Sequence, residues 1–271
     1  MPSRDKSRLG EPCWIDLLTS DTDAARDFYE ALFGWTTTQT QEEHGTYITF
    51  WQDEDRIAGL TAQTPGAEPP DAWVTYLSVA DADATTAAAR EAGAQILLEP
   101  VTVPGQGRMA FLTDPTGAAI GLWQSAEHTG YGRFGEYGTP VWHELSTRDF
   151  DAAASFYQNV FGWRLVPLSD TDEFRYSVFG PEDDEVGGVF DARRTLPEGM
   201  PSSWAVYFGV PDVPEAAAQV AALGGRVLRE PWDSEFGTFS QVSDPTGAVF
   251  LLSSVEDAVT AFDDTVANGH A

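Results

Sequence analysis

The sequence predicts an α+β chain: four modules, each a strand, a helix and three more strands, paired into two tandem domains. In each domain a curved mixed sheet encloses a cleft and the helices lie outside. Three observations carry this reading. The stretch 13–35, CWIDLLTSDTDAARDFYEALFGW, is written again at 141–163 as VWHELSTRDFDAAASFYQNVFGW, with Trp14 and Trp142, Phe28 and Phe156, and Trp35 and Trp163 each 128 positions apart. Within each copy an alternating strand runs through an aspartate cap into apolar residues at helical spacing. The turn Asp114-Pro115-Thr116-Gly117 returns as Asp244-Pro245-Thr246-Gly247, each ahead of an apolar strand.

Taken in order, residues 1–10 are polar, include Arg4, Lys6 and Arg8, and read as a mobile arm. Residues 14–18 alternate as a strand, Asp21 caps a helix with Ala24, Ala25, Phe28, Tyr29, Leu32 and Phe33 on one side, and Gly34 stops it in a left-handed position. A strand at 35–39 and a hairpin of 46–51 with 56–62, turning at 53–55, complete the module. The proline-rich segment 64–70 is a connector. A second module follows, with a strand at 73–79, a helix from the Asp81 cap to Ala92 ended by Gly93, and strands at 95–98, 109–113 and 118–124. The thirteen residues 126–138 hold four glycines and read as the linker between halves, giving domains at 11–125 and 139–255. The second half repeats the order, with a hairpin of 176–179 and 185–190, a connector at 197–203, a strand at 204–210, and a helix capped by Asp212 and ended by Gly224-Gly225. From Glu256 onward lies an acidic tail with no assigned chemistry.

With 271 residues, 42% hydrophobic and 12% aromatic, the chain has material for two full cores and aromatic residues to spare for a cavity wall. A formal charge of −28 argues against a nucleic-acid partner and against an anionic membrane surface. The single cysteine, Cys13, makes no internal disulfide and reads as a small core residue. With no apolar run of membrane-spanning length and no signal-peptide core, the reading is a cytoplasmic protein, monomer or homodimer, whose partner is a small molecule.

The paired modules, the helix text DAARDFYEALFGW and the two strands entered through DPTGAAIGLW and DPTGAVFLLS resemble the vicinal oxygen chelate superfamily. That group takes in glyoxalase, bleomycin-resistance and extradiol dioxygenase proteins. The resemblance spans about 11–254 and is nearest to two-domain actinobacterial proteins labelled glyoxalase-like or hydroxylase. It implies a divalent metal held by a histidine early in two modules and a glutamate on a final strand, leaving positions open for two substrate oxygens. Counting from the capping aspartates places the histidine positions at Trp14 and Val74, and at Trp142 and Ala205; the glutamate positions fall at Gly121 and Leu251. None is a ligand, so neither a metal nor another cofactor is expected. His143 is one residue out of register and reads as facing away from the cleft; His44, His128 and His270 fall in loop, linker and tail.

If Trp14 and Trp142 face inward, alternation turns Asp16 and Glu144 inward with them, as candidate carboxylates for proton transfer. The alternative is that each merely anchors its strand, through backbone groups or an arginine such as Arg108 or Arg133. Trp14, Tyr47, Trp51, Tyr76, Trp123, Trp142 and Tyr207 are the candidate wall for a flat, unsaturated ligand. The expectation is a protein that binds a planar aromatic natural product or metabolite without the usual metal triad. The alternative is a metal-independent isomerase, lyase, cyclase or hydroxylase using Asp16 or Glu144. A third is a metal-dependent dioxygenase or lyase with unorthodox ligands among Asp16, Glu144 and His143.

Overall fold

The computed structural model describes residues 7–42, 45–63, 70–182 and 184–255. Arg4, Lys6, His44, most of the 64–70 connector, the acidic tail and His270 lie outside the described residues.

The first module is β1 (Pro12–Thr19), α1 (Thr22–Phe33), β2 (Thr36–Glu42), β3 (Gly45–Gln52) and β4 (Asp55–Ala62). The second is β5 (Ala72–Ser78), α2 (Ala82–Glu91), β6 (Gln95–Val103), β7 (Gly107–Thr113) and β8 (Ala119–Ser125). The third is β9 (Pro140–Thr147), α3 (Phe150–Phe161), β10 (Val166–Asp170), β11 (Arg175–Phe179) and β12 (Gly187–Asp191). The fourth is β13 (Ser203–Val210), α4 (Val213–Ala222), β14 (Arg226–Ser234), β15 (Gly237–Ser243) and β16 (Val249–Ser254). All four helices start as predicted: Asp21, Asp81, Asp149 and Asp212 each accept a backbone N–H three residues on, satisfying a donor that the helix leaves without a partner. Gly34 and Gly162, both at φ 71°, stop α1 and α3.

The strands form two eight-stranded mixed sheets, ordered β2-β3-β4-β1-β5-β8-β7-β6 and β10-β11-β12-β9-β13-β16-β15-β14. β6 runs on to Val103 where a strand ending at Leu98 was expected, because its pairing with β7 slips between Ile96 and Leu98 and again between Leu98 and Val101, which accommodates Pro100.

Two compact units emerge, and each draws on both halves of the chain. Of the described residues, those within Met1–Leu17, Trp73–Gly132 and Trp142–Val206 form the first; those within Leu18–Ala72, Arg133–Val141 and Tyr207–Ala271 form the second. Helix α2 packs with α3 in the first unit and α1 with α4 in the second.

The repeated motifs tie these pairings. In the first unit the Tyr157 hydroxyl of α3 donates to Asp114 Oδ2 at 3.1 Å, and the Trp163 indole donates to the Gly10 carbonyl at 2.6 Å. In the second the Tyr29 hydroxyl of α1 donates to Asp244 Oδ2 at 3.2 Å, and the Trp35 indole to the Gly138 carbonyl at 2.8 Å. The other oxygen of each aspartate accepts from its own Asp-Pro-Thr-Gly turn, from the Thr116 and Ala118 amides in one copy and the Thr246 and Ala248 amides in the other. Asp114 and Asp244 are 3% and 1% exposed, so each tyrosine bond satisfies a buried acceptor that would otherwise cost about 1–3 kcal/mol. Burial holds the Tyr157 phenol well above its usual range, with the charge of Asp114 adding to it, and burial raises Asp244. The helix text and the DPTG turns, the most specific repeats in the sequence, therefore fasten module to module.

Two segments depart from expectation. Residues 7–10 belong to the packed body, since Ser7 and Gly10 are buried and the Gly10 amide donates to the Ser78 carbonyl. The glycine-rich connector is likewise fixed: His128 and Tyr131 are buried, and the Tyr131 amide donates to the Cys13 carbonyl. Gly130 lies so close to that carbonyl that a Cβ would sit 2.4 Å from its oxygen. Its glycines permit close backbone approach, which composition alone does not distinguish from looseness.

Candidate functional site

Both candidate carboxylates lie in the first unit, each within a tyrosine–tryptophan setting. On β1 the Trp14 indole donates to Asp16 Oδ1 at 2.9 Å, and the Tyr76 hydroxyl, from β5, donates to Asp16 Oδ2 at 2.7 Å. On β9 the order is serial: the Trp142 indole donates to the Tyr176 hydroxyl at 2.9 Å, which donates to Glu144 Oε2 at 3.0 Å. Ser146 stands 3.4 Å from the other oxygen of Glu144. The expected arginine anchors are engaged elsewhere, Arg108 with Asp83 and Arg133 with Asp53 and Asp55.

In both places a glycine makes the approach possible. Tyr76 stands beside Gly121 in the parallel pairing of β5 with β8, and a Cβ on Gly121 would lie 2.3 Å from the Tyr76 ring. Tyr176 crosses Gly188, the β12 residue beside Glu144, where a Cβ would lie 2.0 Å from the phenol oxygen. Tyr176 was not among the sequence candidates. The signal that pointed to it is the doubled glycine at 187–188 inside a strand, a mark of close approach by another group.

The surroundings of the two carboxylates differ. Trp14 is 3% exposed, with its ring edge-on to His128 at 4.3 Å; Trp123 donates its indole N–H to the His128 carbonyl at 2.8 Å and is 6% exposed. Tyr76 is 3% exposed, with Phe111 edge-on at 5.2 Å. Around Glu144 the side chains are half-buried or open: Phe174, exposed, stacks with Tyr176 at 5.7 Å, and Phe190 lies 5.9 Å from Phe174. The Tyr176 phenol is pushed above the usual tyrosine range by burial and then by the charge of Glu144, so it stays a neutral donor.

The remaining wall candidates fall in the second unit. Tyr47 and Trp51 are on β3, half-buried, with the Trp51 indole donating to Thr38 at 2.8 Å and Arg56 over its ring at 5.3 Å. Tyr207, on β13, is 8% exposed and meets Phe239 edge-on at 5.8 Å.

The residues at the metal positions implied by the family do not fit a metal of that kind. The indoles of Trp14 and Trp142 are donors spent on neighbours, Val74, Ala205 and Leu251 are aliphatic, and the Tyr76 ring fills the space where a side chain at Gly121 would begin. His143 is fully buried on the β9 face opposite Glu144, with Nδ1 3.2 Å from the Thr75 hydroxyl and Nε2 3.1 Å from that of Tyr131. Cys13 is buried, and burial, then the charge of Asp16, pushes its thiol up, which suits a core residue rather than a nucleophile. Among the described residues no group of three His, Cys, Asp or Glu is arranged to hold a metal, and no helix is long and apolar enough to cross a membrane.

Comparison with known proteins agrees with this fold. The chain is 39% identical over 257 residues to the Mycobacterium bovis protein named "Putative glyoxylase CFP32", covering 93% of this chain and 97% of that one. It is 33% identical over 273 residues to the anthracycline biosynthesis protein DauV of Streptomyces sp. (strain C5), covering 94% and 97%. Among solved structures, the Mn(II)-bound glyoxalase from Novosphingobium aromaticivorans superposes with a TM-score of 0.63 at 18% identity, over 92% of this chain and 83% of that one. The 2,3-dioxygenase LapB from Pseudomonas sp. KL28 gives 0.63 at 14% identity, over 94% and 93%. The model of the Glyoxalase/Bleomycin resistance protein/Dioxygenase superfamily matches twice, at residues 13–122 and 139–269, and the chain belongs to that superfamily.

Proposed function

We propose that this protein binds a small, planar aromatic metabolite or natural product without the metal triad of its superfamily. The observation that carries the reading is the reuse of the ligand positions: Trp14 and Trp142 are tied into carboxylate–tyrosine groups, and Tyr76 lies over Gly121. The half-buried group of Trp142, Tyr176 and Glu144 joins aromatic rings to fixed polar atoms, the usual make-up of a small-molecule site. A relative named for anthracycline biosynthesis, similar over nearly the full length, supports a ligand of this class. Titration of the tryptophan fluorescence with a panel of polycyclic phenols and quinones tests the reading. Saturable quenching by members of the panel is expected; no quenching by any of them sinks it.

A second reading, a metal-independent enzyme acting on such a molecule, is favoured by one specific arrangement. The neutral Tyr176 phenol donating to Glu144 pairs a proton donor with a proton acceptor on one half-buried face. Turnover of a bound ligand that is lost in Glu144→Gln, with folding intact, supports it. Unchanged turnover in both Asp16→Asn and Glu144→Gln removes it.

A further inference from the structure

In the fourth module β13 pairs with β16, β16 with β15 and β15 with β14, and the cross-strand partners Tyr207 and Leu251, Leu251 and Gln241, Gln241 and Arg229, and Phe239 and Trp232 share one face of that sheet. On the opposite face Phe208, Ser240, Val242, Phe250 and Leu252 are fully buried, and α4 packs against β14, β15 and β16. The first face is built differently. Trp232 is half-buried with its ring 5.8 Å from that of Phe239, which in turn meets Tyr207 edge-on at 5.8 Å. The exposed Arg229 places its guanidinium over the Trp232 ring at 3.6 Å. Although the chain has 43 acidic residues against 15 basic ones, none of the described acids pairs with Arg229, Glu230 and Asp233 of its own strand included. Asp233 accepts from the Thr238 hydroxyl instead. The half-buried Gln241 amide, directly across the ladder from Arg229, has no hydrogen-bond partner among the described residues.

Packing of the sheet does not call for these groups, because the repeat does without them. The matching cross-strand pairs of the second module are Leu98 with Phe111 and Val101 with Met109, where the fourth has Arg229 with Gln241 and Trp232 with Phe239. An apolar pair serves one copy; a cation and an amide replace it in the other. A guanidinium stacked on an indole gives its flat side to the ring and keeps its N–H edge, which matches the two oxygens of a carboxylate. The Gln241 amide adds a further donor beside it, and the rings of Trp232, Phe239 and Tyr207 offer apolar surface to a flat molecule. We propose that this face of β13–β16 binds a flat aromatic carboxylate, with Arg229 on the anionic group. This rests on the aromatic-ligand reading above and adds the ligand's charge and a location in the second unit.

The test uses the full chain and two fluorescent probes with the same flat ring system, 1-pyreneacetic acid, a carboxylate at neutral pH, and the neutral 1-pyrenemethanol, followed by anisotropy. Salt at about 0.15 M brings the screening length to about 8 Å and mutes the repulsion from the chain's overall negative charge. The carboxylate is expected to bind about 10-fold tighter, the scale of a hydrogen bond to a charged group. Arg229→Gln is expected to abolish that preference, while Arg194→Gln, which removes an exposed arginine of the first unit and the same net charge, keeps it. Gln241→Glu sets an acid across from Arg229 and is expected to abolish the preference as well, so the test stands even if Arg229→Gln folds poorly. Trp232→Leu is expected to weaken both probes by about 5-fold. Equal binding of the two probes overturns the carboxylate site and leaves the aromatic reading standing. Binding of neither probe overturns both. A preference that survives Arg229→Gln or Gln241→Glu, or that falls as far in Arg194→Gln, overturns the assignment to Arg229, and unchanged binding of both probes in Trp232→Leu overturns the assignment to this face.

Discussion

Asp16 and Glu144 occupy matching places in the repeat, two residues after Trp14 and Trp142, yet the chain builds different surroundings from the same text. Asp16 is 7% exposed, with Trp14 and Tyr76 each donating to a separate oxygen. Glu144 is half-buried at the end of a relay, with Trp142 donating to Tyr176 and Tyr176 to the carboxylate. The tyrosines come from different strands, β5 in one case and β11 in the other. A buried carboxylate held by two fixed donors orders the strands around it, whereas one beside the exposed ring of Phe174 can meet a ligand. The repeat conserves a position for an acid; its neighbours decide which acid is accessible.

The sharpest way to break this contrast is at the two glycines. Gly121→Ala drives a methyl into the Tyr76 ring, which is 3% exposed and closely packed, so a loss of about 3 kcal/mol in denaturant unfolding is expected. Gly188→Ala pushes on Tyr176, which is half-buried and so freer to shift than Tyr76; about 1 kcal/mol is expected, with the larger effect on ligand binding. Equal losses in the two variants break the comparison.

The next effect is on the acids themselves. Asp16→Asn can keep the Trp14 indole only with its amide oxygen, which sets its N–H₂ against Tyr76 and makes that hydroxyl turn inside a closely packed, buried group, so about 2 kcal/mol of destabilisation is expected. Glu144→Gln leaves a hydroxyl that can turn, on a half-buried face, and is expected to cost under about 1 kcal/mol. A larger thermal shift for Glu144→Gln than for Asp16→Asn reverses the assignment of structural and ligand-facing roles.

The smallest effect is a pH dependence. The Tyr176 phenol is raised in the folded protein, so its contribution is fully present below the ordinary tyrosine pKa of about 10 and is lost as pH climbs toward its folded value. Between pH 9 and 11 the wild type is expected to lose slightly more stability than Tyr176→Phe, followed by unfolding at each pH. Parallel loss in the two proteins removes the claim that Tyr176 is a neutral donor.

Much of the fold was legible because its signals are local. The caps at Asp21, Asp81, Asp149 and Asp212 require only an aspartate three residues before an unpaired amide, and Gly34 and Gly162 require only their own backbone angle. The alternation along β9 likewise separates Glu144 from His143 without knowledge of any partner. The candidate site was legible only in part. Asp16, Glu144, Trp14, Trp142 and Tyr76 were singled out by alternation, but the two hydrogen-bonded groups they fall into were not foreseen; Tyr176 and Phe190 read as ordinary hairpin residues, Phe174 belonged to no expected element, and His128 and Tyr131 read as linker. What made them matter is which strands become neighbours, a long-range fact.

The sequence by itself determined four modules, their caps and turns, and membership of a superfamily, because periodicity and turn chemistry act over a few residues. Only the tertiary structure decided that Tyr157 locks to Asp114 and Tyr29 to Asp244, pairing each module with one from the other half of the chain. It alone decided that Tyr76 belongs to Asp16 and Tyr176 to Glu144. A hydroxyl's partner is whatever acceptor packing brings within hydrogen-bond reach, and packing between segments 32 to 215 residues apart leaves no periodic trace in the chain.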